Sequence, residues 1–292
     1  MYFKKFLLLL LVFVLLHSFL TYEPTVAQDA AIKQEANRFY GSLVYDKNGV
    51  PYYNYSKAGH PSIGLQGNPH AVSTQALKLY QEYSRTSNES AKTYFLNNVN
   101  WLVNTKMLKN NGSFSAYEFS FPWQYGNVTI NPPWRSSMAN ADALSPLVKA
   151  YQLTSNRTYI DTAKKLLNSF YVDVRDGGLT YKTPNSGWWY EQYASMNSTV
   201  EPRVLTGMFH AMIDINEYYK ETNDSSAKFL SDQGLVALKN NLPNYDNNGT
   251  SFYDNLKWPA NSFYRNLHVI QLEQLYNLTR EPTLKIFQDR WG

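Results

Sequence analysis

This sequence contains four copies of a Tyr-x-x-Thr tetrapeptide: Tyr83-Ser-Arg-Thr86, Tyr151-Gln-Leu-Thr154, Tyr219-Lys-Glu-Thr222 and Tyr276-Asn-Leu-Thr279. The first three lie 68 residues apart, and the fourth follows after 57. Each tetrapeptide closes an amphipathic stretch, and a short polar turn then leads into a second helical pattern, as at 90–107, 158–170 and 225–242. The repeat therefore predicts a series of helix hairpins.

Aromatic, turn-rich segments of strand or loop character separate the predicted hairpins, at 112–134, 177–193 and 245–264. Because each hairpin buries its apolar stripe only against its neighbours, repeated hairpins favour either an (α/α) toroid or an open solenoid. Unequal aromatic loops favour the toroid, with short β-rich loops forming one mouth. We therefore predict an all-α fold in a single domain, residues 28–292. Within it, ahead of the first hairpin, residues 45–49 have the pattern of a turn between short strands.

Composition excludes several classes of protein. The chain has 292 residues, 27 Lys+Arg against 23 Asp+Glu, a net charge of +4 and no cysteine. The lack of cysteine excludes disulfides, thiolate zinc sites, iron–sulfur clusters and cysteine nucleophiles. No run of basic residues is long enough to predict nucleic-acid binding. An acidic small or polymeric ligand is compatible with the mild positive charge.

The N-terminus has the pattern of an export signal. Lys4 and Lys5 precede the apolar run 6–16, and the chain becomes polar after Ala27. The run is shorter than the roughly 20 residues that a spanning helix needs, which favours a cleaved signal in 1–27 over a membrane anchor. We therefore expect a secreted protein, or one anchored on the outer side of a membrane. Acceptor motifs for N-glycosylation support export; they begin at Asn54, Asn88, Asn111, Asn127, Asn156, Asn197, Asn223, Asn248 and Asn277.

The absence of several catalytic motifs argues against the classes of enzyme that depend on them. The sequence contains no G-x-S-x-G, P-loop, G-x-G-x-x-G or H-x-x-x-H pattern. Serine hydrolase, NTPase and zincin chemistry are therefore not indicated, and we expect neither a metal nor a cofactor. Carboxyl groups and phenols remain as the reactive groups, which suits carbohydrate chemistry, where protons move and rings stack.

The densest aromatic cluster is 187–193, in which Trp189, Tyr190 and Tyr193 surround Glu191. A carboxylate among aromatic rings has its pKa raised by desolvation, as a proton-transfer residue requires. The alternative is an edge strand that packs its rings on the core and leaves Glu191 in solvent.

Two further clusters contain candidate site residues. In 250–268, Tyr253 and Tyr264 are potential proton donors beside Arg265, because a nearby cation lowers the pKa of a phenol. In 133–145, Trp134 would stack on a sugar while Arg135 binds a carboxylate at a helix start. The alternative in both clusters is helix capping and core packing.

Several motifs resemble the C-terminal domain of the D-glucuronyl C5-epimerase family, in that family's order and approximate spacing: Pro133-Trp-x-Ser-x-Met-Ala-x-Ala-x-Ala-Leu-Ser, Trp189-Tyr-Glu-x-Tyr193 with Val204-Leu-x-Gly207, Leu242-Pro-x-Tyr-Asp246, Ser251-x-Tyr-Asp254 and Tyr264-x-x-x-His268. The resemblance covers roughly residues 70–291 in pieces. It implies an (α/α) toroid and acid/base epimerisation at C5 of a hexuronic acid within a polysaccharide.

The resemblance implies that Tyr193, Tyr253 and Tyr264 are catalytic phenols, with Tyr193 or Glu191 facing Tyr264. Gln192 departs from the family, because it replaces the second acid of the Trp-Tyr-Glu-Glu-Tyr motif, so either a tyrosinate is the base or the chemistry has changed. A second departure is the residue after the loop Trp, where the family often has Tyr and this chain has Arg. Cations would clamp the substrate carboxylate, from Arg135, Arg265 or Lys257. The expected substrate-binding residues are Trp134, Arg135, Trp189, Tyr190, Gln192, Arg265 and His268.

The expected partner is an acidic polysaccharide or glycan that contains uronic acid. Alternative functions are a polysaccharide lyase, because the same enolate can expel the C4 substituent, and a non-catalytic glycan-binding protein. A glycoside hydrolase would need two carboxylates, for which Glu191 with Asp254 or Asp142 is the available pairing. A homodimer and anchoring through the N-terminal segment stay open.

Overall fold

The computed structural model describes residues 41–292, so the predicted signal segment 1–27 lies outside the described residues. Helix hairpins dominate the described chain, and no helix within it is long and apolar enough to cross a membrane. The helices are α1 (Pro69–Thr86), α2 (Glu89–Asn104), α3 (Ser137–Asp142), α4 (Leu144–Thr154), α5 (Arg157–Asn168), α6 (Leu205–Thr222), α7 (Ser225–Asn241), α8 (Ser262–Thr279) and α9 (Pro282–Trp291).

Each hairpin turns in the same way at its Tyr-x-x-Thr tetrapeptide. The threonine hydroxyl donates to the carbonyl four residues earlier, at 2.6 or 2.7 Å. The residue after the threonine is left-handed, with φ between 55° and 59°, and its N–H donates to the carbonyl of the tyrosine. These left-handed residues are Ser87, Ser155, Asn223 and Arg280. The predicted equivalence of the tyrosines is confirmed, and all four copies form hairpin corners.

Inner and outer helices form two layers. The first helices of the hairpins pack side by side, α1 against α3 and α4, these two against α6, and α6 against α8. The second helices α2, α5, α7 and α9 each pack on the first helix of their own hairpin. Fully buried side chains such as Phe95, Phe209 and Tyr218 fill the space between the layers. This layering is consistent with the predicted helical toroid.

Small antiparallel sheets occupy the segments between the hairpins and ahead of α1, as expected for 112–134, 177–193 and 245–264. In the predicted turn, Asp46 accepts hydrogen bonds from the N–H groups of Asn48 and Val50, and Gly49 has a φ of 74°. The strands are β1 (Leu43–Tyr45), β2 (Pro51–Asn54), β3 (Leu65–Gly67), β4 (Leu108–Asn110), β5 (Ser115–Phe119), β6 (Trp123–Tyr125), β7 (Val128–Ile130), β8 (Trp134–Arg135), β9 (Thr180–Thr183), β10 (Gly187–Tyr190), β11 (Asp246–Asn247) and β12 (Thr250–Ser251). They pair as β1-β2-β3, β4-β5-β8, β6-β7, β9-β10 and β11-β12.

Candidate active site

A cleft of about 240 Å³ opens where the β-rich segments meet the amino ends of α1 and α3. Its walls are mainly aromatic, and the side chains that line it within residues 41–292 include no carboxylate, lysine or arginine. The lining consists of Tyr53, Tyr55, Asn68, His70, Phe119, Trp123, Trp134, Ser136, Met138, Ala139, Gln192 and Tyr193. Of the predicted site residues, Trp134, Gln192 and Tyr193 therefore line one cleft.

Trp134 and Arg135 follow each other in β8 and face opposite ways, as successive strand residues do. The Trp134 ring lies in the cleft wall, stacked on Phe119 at 4.1 Å, and its indole N–H donates to a backbone carbonyl at 2.8 Å. Arg135 is buried, and its guanidinium donates to Glu118 and to the Gly177 carbonyl. The expectation that Arg135 binds a substrate carboxylate is therefore corrected, because its charge is already paired away from the cleft.

A group of tyrosines adjoins the cleft at Tyr193. The Tyr193 ring lies 5.3 Å from Tyr125 and stacks on Trp123 at 6.0 Å, and burial together with the phenols of Tyr264 and Tyr55 raises its pKa. The side chains of Tyr253 and Tyr264 are hydrogen-bonded to each other, with ring centroids 4.6 Å apart, and burial raises the pKa of Tyr253 as well. The expectation that a nearby cation lowers the pKa of Tyr253 is therefore corrected. Tyr193 and Tyr253 hold their protons at neutral pH and can serve as hydrogen-bond donors.

Glu191 is fully buried behind this group. Its carboxylate accepts hydrogen bonds from the N–H of Tyr193 at 3.0 Å and of Arg203 at 2.8 Å. Burial raises its pKa to about 7. With no exposed surface, Glu191 cannot touch a substrate, so its expected direct role in proton transfer is corrected: it fixes the backbone that carries Tyr193.

Trp189 and Tyr190 belong to the core instead of the cleft. Trp189 stacks on Tyr245 at 5.5 Å with an interplanar angle of 2°, and it is 2% exposed. The Tyr190 hydroxyl donates to the carbonyl of Leu230. Both predicted substrate contacts are therefore corrected, and the alternative of rings packed on the core is what the structure has.

His268 is also buried, with both ring nitrogens engaged. They lie 2.8 Å from the hydroxyls of Thr206 and Ser251, and burial lowers the pKa of His268 to about 3. It is a neutral core histidine, so its expected substrate contact is corrected.

Two of the expected clamping cations lie outside the cleft lining. Arg265 is half-buried in the first turn of α8. Lys257 donates to the carbonyl of Asn244 and lies over the rings of Phe252 and Tyr245. Neither side chain is among the residues that line the cleft.

Gln192 depends on a glycine in α6 for its place in the cleft. A Cβ at Gly207 would lie 2.5 Å from the Gln192 side-chain oxygen and 2.6 Å from its Cβ. The Gln192 oxygen is buried without a hydrogen-bond partner. The glycine of the Val204-Leu-x-Gly207 motif thus makes room for the Gln192 side chain.

A cluster of two histidines and an aspartate, which sequence reasoning missed, lies under the cleft. His70 Nδ1 is 2.7 Å from Asp142 Oδ2, and His210 Nε2 is 2.7 Å from Asp142 Oδ1. Asp214 lies 3.5 Å from His210 Nε2. Burial raises the pKa of Asp142, but the two histidines outweigh this effect and hold the pKa well below its usual range. Burial lowers the pKa of His210, but the neighbouring carboxylates of Asp142 and Asp214 outweigh this effect and raise the pKa to about 9.

The helical repeat contains a signal that would have located this cluster. Asp142 and His210 each precede the corner tyrosine of their hairpin by nine residues, and His70 precedes its own by thirteen, one helical turn more. The ligand atoms of these three residues lie within 4.8 Å of one another, a spacing that would also hold a metal ion. The two 2.7 Å contacts satisfy the carboxylate through hydrogen bonds.

Sequence relatives point to one family. Residues 109–292 match the family described as D-glucuronyl C5-epimerase C-terminus. Uncharacterized protein MJ1128 of Methanocaldococcus jannaschii is 28% identical over 258 residues, which are 83% of this chain and 82% of that protein. D-glucuronyl C5-epimerase of Caenorhabditis elegans is 26% identical over 187 residues. That match covers 56% of this chain and only 29% of the worm enzyme.

Solved structures with the same fold are distant in sequence. Cellobiose 2-epimerase from Bacillus thermoamylovorans superposes with a TM-score of 0.60 at 15% identity, covering 97% of this chain and 72% of that one. Cellobiose 2-epimerase from Spirochaeta thermophila gives a TM-score of 0.58 at 12% identity, covering 97% and 71%. At such identities the similarity supports the helical fold and nothing about the reaction.

Proposed function

The chain belongs to the D-glucuronyl C5-epimerase C-terminal family, and on that basis we propose that it removes and returns the C5 proton of hexuronic acid residues in an acidic extracellular glycan. The product would be the epimer at C5, as in the conversion of D-glucuronate to L-iduronate. The observation that supports this proposal most directly is the convergence of Tyr193, Tyr253 and Tyr264 beside an aromatic cleft.

The reaction explains why phenols are needed. The C5 hydrogen lies α to a carboxylate, so its removal produces a dianionic enolate that needs hydrogen-bond donors as its charge develops. Protonated phenols supply such donors, and one of them returns a proton to C5 on the opposite face. The rings of Trp123 and Trp134 would hold the sugar against the cleft wall by stacking.

Hydrolysis fits the cleft less well. A glycoside hydrolase places two carboxyl groups beside the bond that it cleaves. Glu191 and Asp254 are both fully buried, and Asp254 accepts hydrogen bonds from the Tyr125 hydroxyl and the Trp258 N–H. Asp142 is engaged by two histidines. The described part of the chain therefore lines the cleft with no carboxylate pair.

Product analysis in deuterated water tests the proposal. The purified protein is incubated with an oligosaccharide of alternating glucuronate and hexosamine, and the products are followed by NMR. Deuterium at C5, with iduronate signals, is the expected result. An unsaturated uronate would indicate a lyase, new reducing ends would indicate a hydrolase, and binding without turnover would indicate a glycan-binding protein.

Removing a single hydroxyl separates catalysis from folding. Tyr193→Phe and Tyr264→Phe should each lower C5 exchange by about 10² to 10⁴, because each removes a proton donor and keeps the ring. Tyr94→Phe is the matched control, since Tyr94 is an exposed tyrosine on α2 away from the cleft. A loss below about threefold in both variants contradicts the assigned roles.

A further inference from the structure

We propose that His70 is the base that removes the C5 proton, an assignment that rests on the epimerase function proposed above. His70 is the second residue of α1, and its side chain lines the cleft with 16% of its surface exposed. Among the described residues of the lining, His70 carries the imidazole, a side chain that can accept a proton at one ring nitrogen while the other donates a hydrogen bond. Gln192 lines the same cleft, but an amide cannot accept the proton.

Hydrogen bonding prepares His70 for this role. Its Nδ1 lies 2.7 Å from a carboxylate oxygen of Asp142, so Nδ1 carries the hydrogen and donates it. In this tautomer the lone pair is on Nε2, the other ring nitrogen. An ionised Asp142 also stabilises the imidazolium that forms when Nε2 takes a proton, as the aspartate of a catalytic triad does.

The carboxylate is itself held from its other side. His210 Nε2 donates to the second oxygen of Asp142 at 2.7 Å, and Asp214 lies next to that histidine on α6. Asp142 is 9% exposed, so its orientation is set by these two histidines and not by solvent. His210 and Asp142 are thus positioning residues for His70. Within residues 41–292, the charged groups that contact one another here are Asp142 from α3 and His210 with Asp214 from α6.

The proton inventory balances over one turnover. His70 Nε2 takes the C5 proton, and the electrons of the C–H bond move into the enolate of the substrate carboxylate. The Tyr193 hydroxyl then protonates C5 from the other face, and the enolate electrons form the new C–H bond. Imidazolium and phenolate remain, and exchange with water returns the first proton to solvent and restores the phenol, so deuterium from the solvent enters at C5.

The test is a rescue experiment on the full chain. His70→Ala should lower kcat for C5 exchange by about 10² to 10⁴ with little change in KM, because the base is lost and the aromatic walls remain. Added imidazole should restore part of the exchange in His70→Ala and none in Tyr193→Phe, whereas a purely structural histidine would not respond to imidazole. His210→Gln should lower kcat less than His70→Ala. Arg85→Gln is the charge control, because it removes a cation from the exposed far end of the same helix.

Each other outcome overturns a specific statement. If the native protein exchanges the C5 proton and the rate of His70→Ala is within about threefold of the native rate, His70 is not the base. The proposed epimerase function would be unaffected by that result. A raised KM with unchanged kcat would assign His70 to binding. If a chelator abolishes native exchange and Zn²⁺ restores it, the cluster holds a metal and the proposal fails. No exchange by the native protein refutes the proposed function itself. Where His70→Ala does not fold, His70→Gln keeps the side-chain size, and its thermal unfolding is checked beside its rate.

Discussion

Replacing Glu191 by glutamine should remove a large part of the pH dependence of stability. Glu191 is fully buried, and its pKa is raised from 4.5 to about 7 by burial. A carboxyl group whose pKa is raised in the folded state stabilises the protein below its unfolded pKa, and this stabilisation is lost as the pH rises through the folded value. At 1.36 kcal/mol per pKa unit, the free energy of unfolding should fall by about 2 to 3 kcal/mol between pH 5 and pH 8 on account of Glu191.

The assay is urea unfolding of both proteins at several pH values in this range. The glutamine of the variant cannot ionise, so the native protein should lose about 1 M in midpoint relative to Glu191→Gln as the pH rises, for a slope of about 2.5 kcal/mol per M. Asp214 and His210 also titrate, but they are present in both proteins and cancel in the difference. Glu89→Gln is the matched control, because it removes an exposed carboxyl group on α2 by the same substitution. A difference between native and Glu191→Gln that stays constant from pH 5 to pH 8 would refute the raised pKa.

Three further changes have defined outcomes. Gln192→Glu should lower C5 exchange near neutral pH, because a new anion repels the substrate carboxylate and raises the pKa of Tyr193 further; a higher rate in the NMR assay would mean that residue 192 is the position of the base. Gly207→Ala should cost about 1 to 3 kcal/mol in thermal unfolding, because its Cβ would overlap Gln192, whereas Gly41→Ala, with nothing within 4 Å, should be neutral. Thr222→Val should lower stability by about 1 kcal/mol in urea unfolding, since its hydroxyl bonds both sides of a hairpin corner; an unchanged midpoint contradicts that role.

The fold was predictable because its signals are local and repeated. Each corner needs a threonine that bonds back into the helix and a left-handed residue after it, and both requirements are met within a few positions. The same local chemistry gives two of the nine glycosylation motifs a structural role. Asn88 and Asn156 cap the helices that follow two corners, and their side chains accept from the N–H of Ser90 and Thr158.

The site was predictable only in part, because the sequence of an aromatic cluster does not distinguish rings packed in a core from rings that line a cleft. Trp134 and Tyr193 lie where expected, but Trp189 packs on Tyr245 in the interior. Strand alternation alone would have excluded Arg135, since it cannot share a face with the residue before it. The contacts of Asp142 with two histidines span 72 and 68 residues, so no short motif reveals them.

The hairpin corners and the cleft lie at opposite ends of the inner helices, so the residues that form the turns are separate from the residues that form the cleft. The corner residues meet the geometric requirements of a turn, and Ser, Asn and Arg all occupy the left-handed position in different repeats. Residues at the amino ends of α1 and α3 line the cleft and would contact a molecule that enters it. A substitution in one of the cleft segments would therefore alter the cleft and leave the turns unchanged. Gln192 and His70 illustrate this separation, because both line the cleft and neither belongs to a hairpin corner.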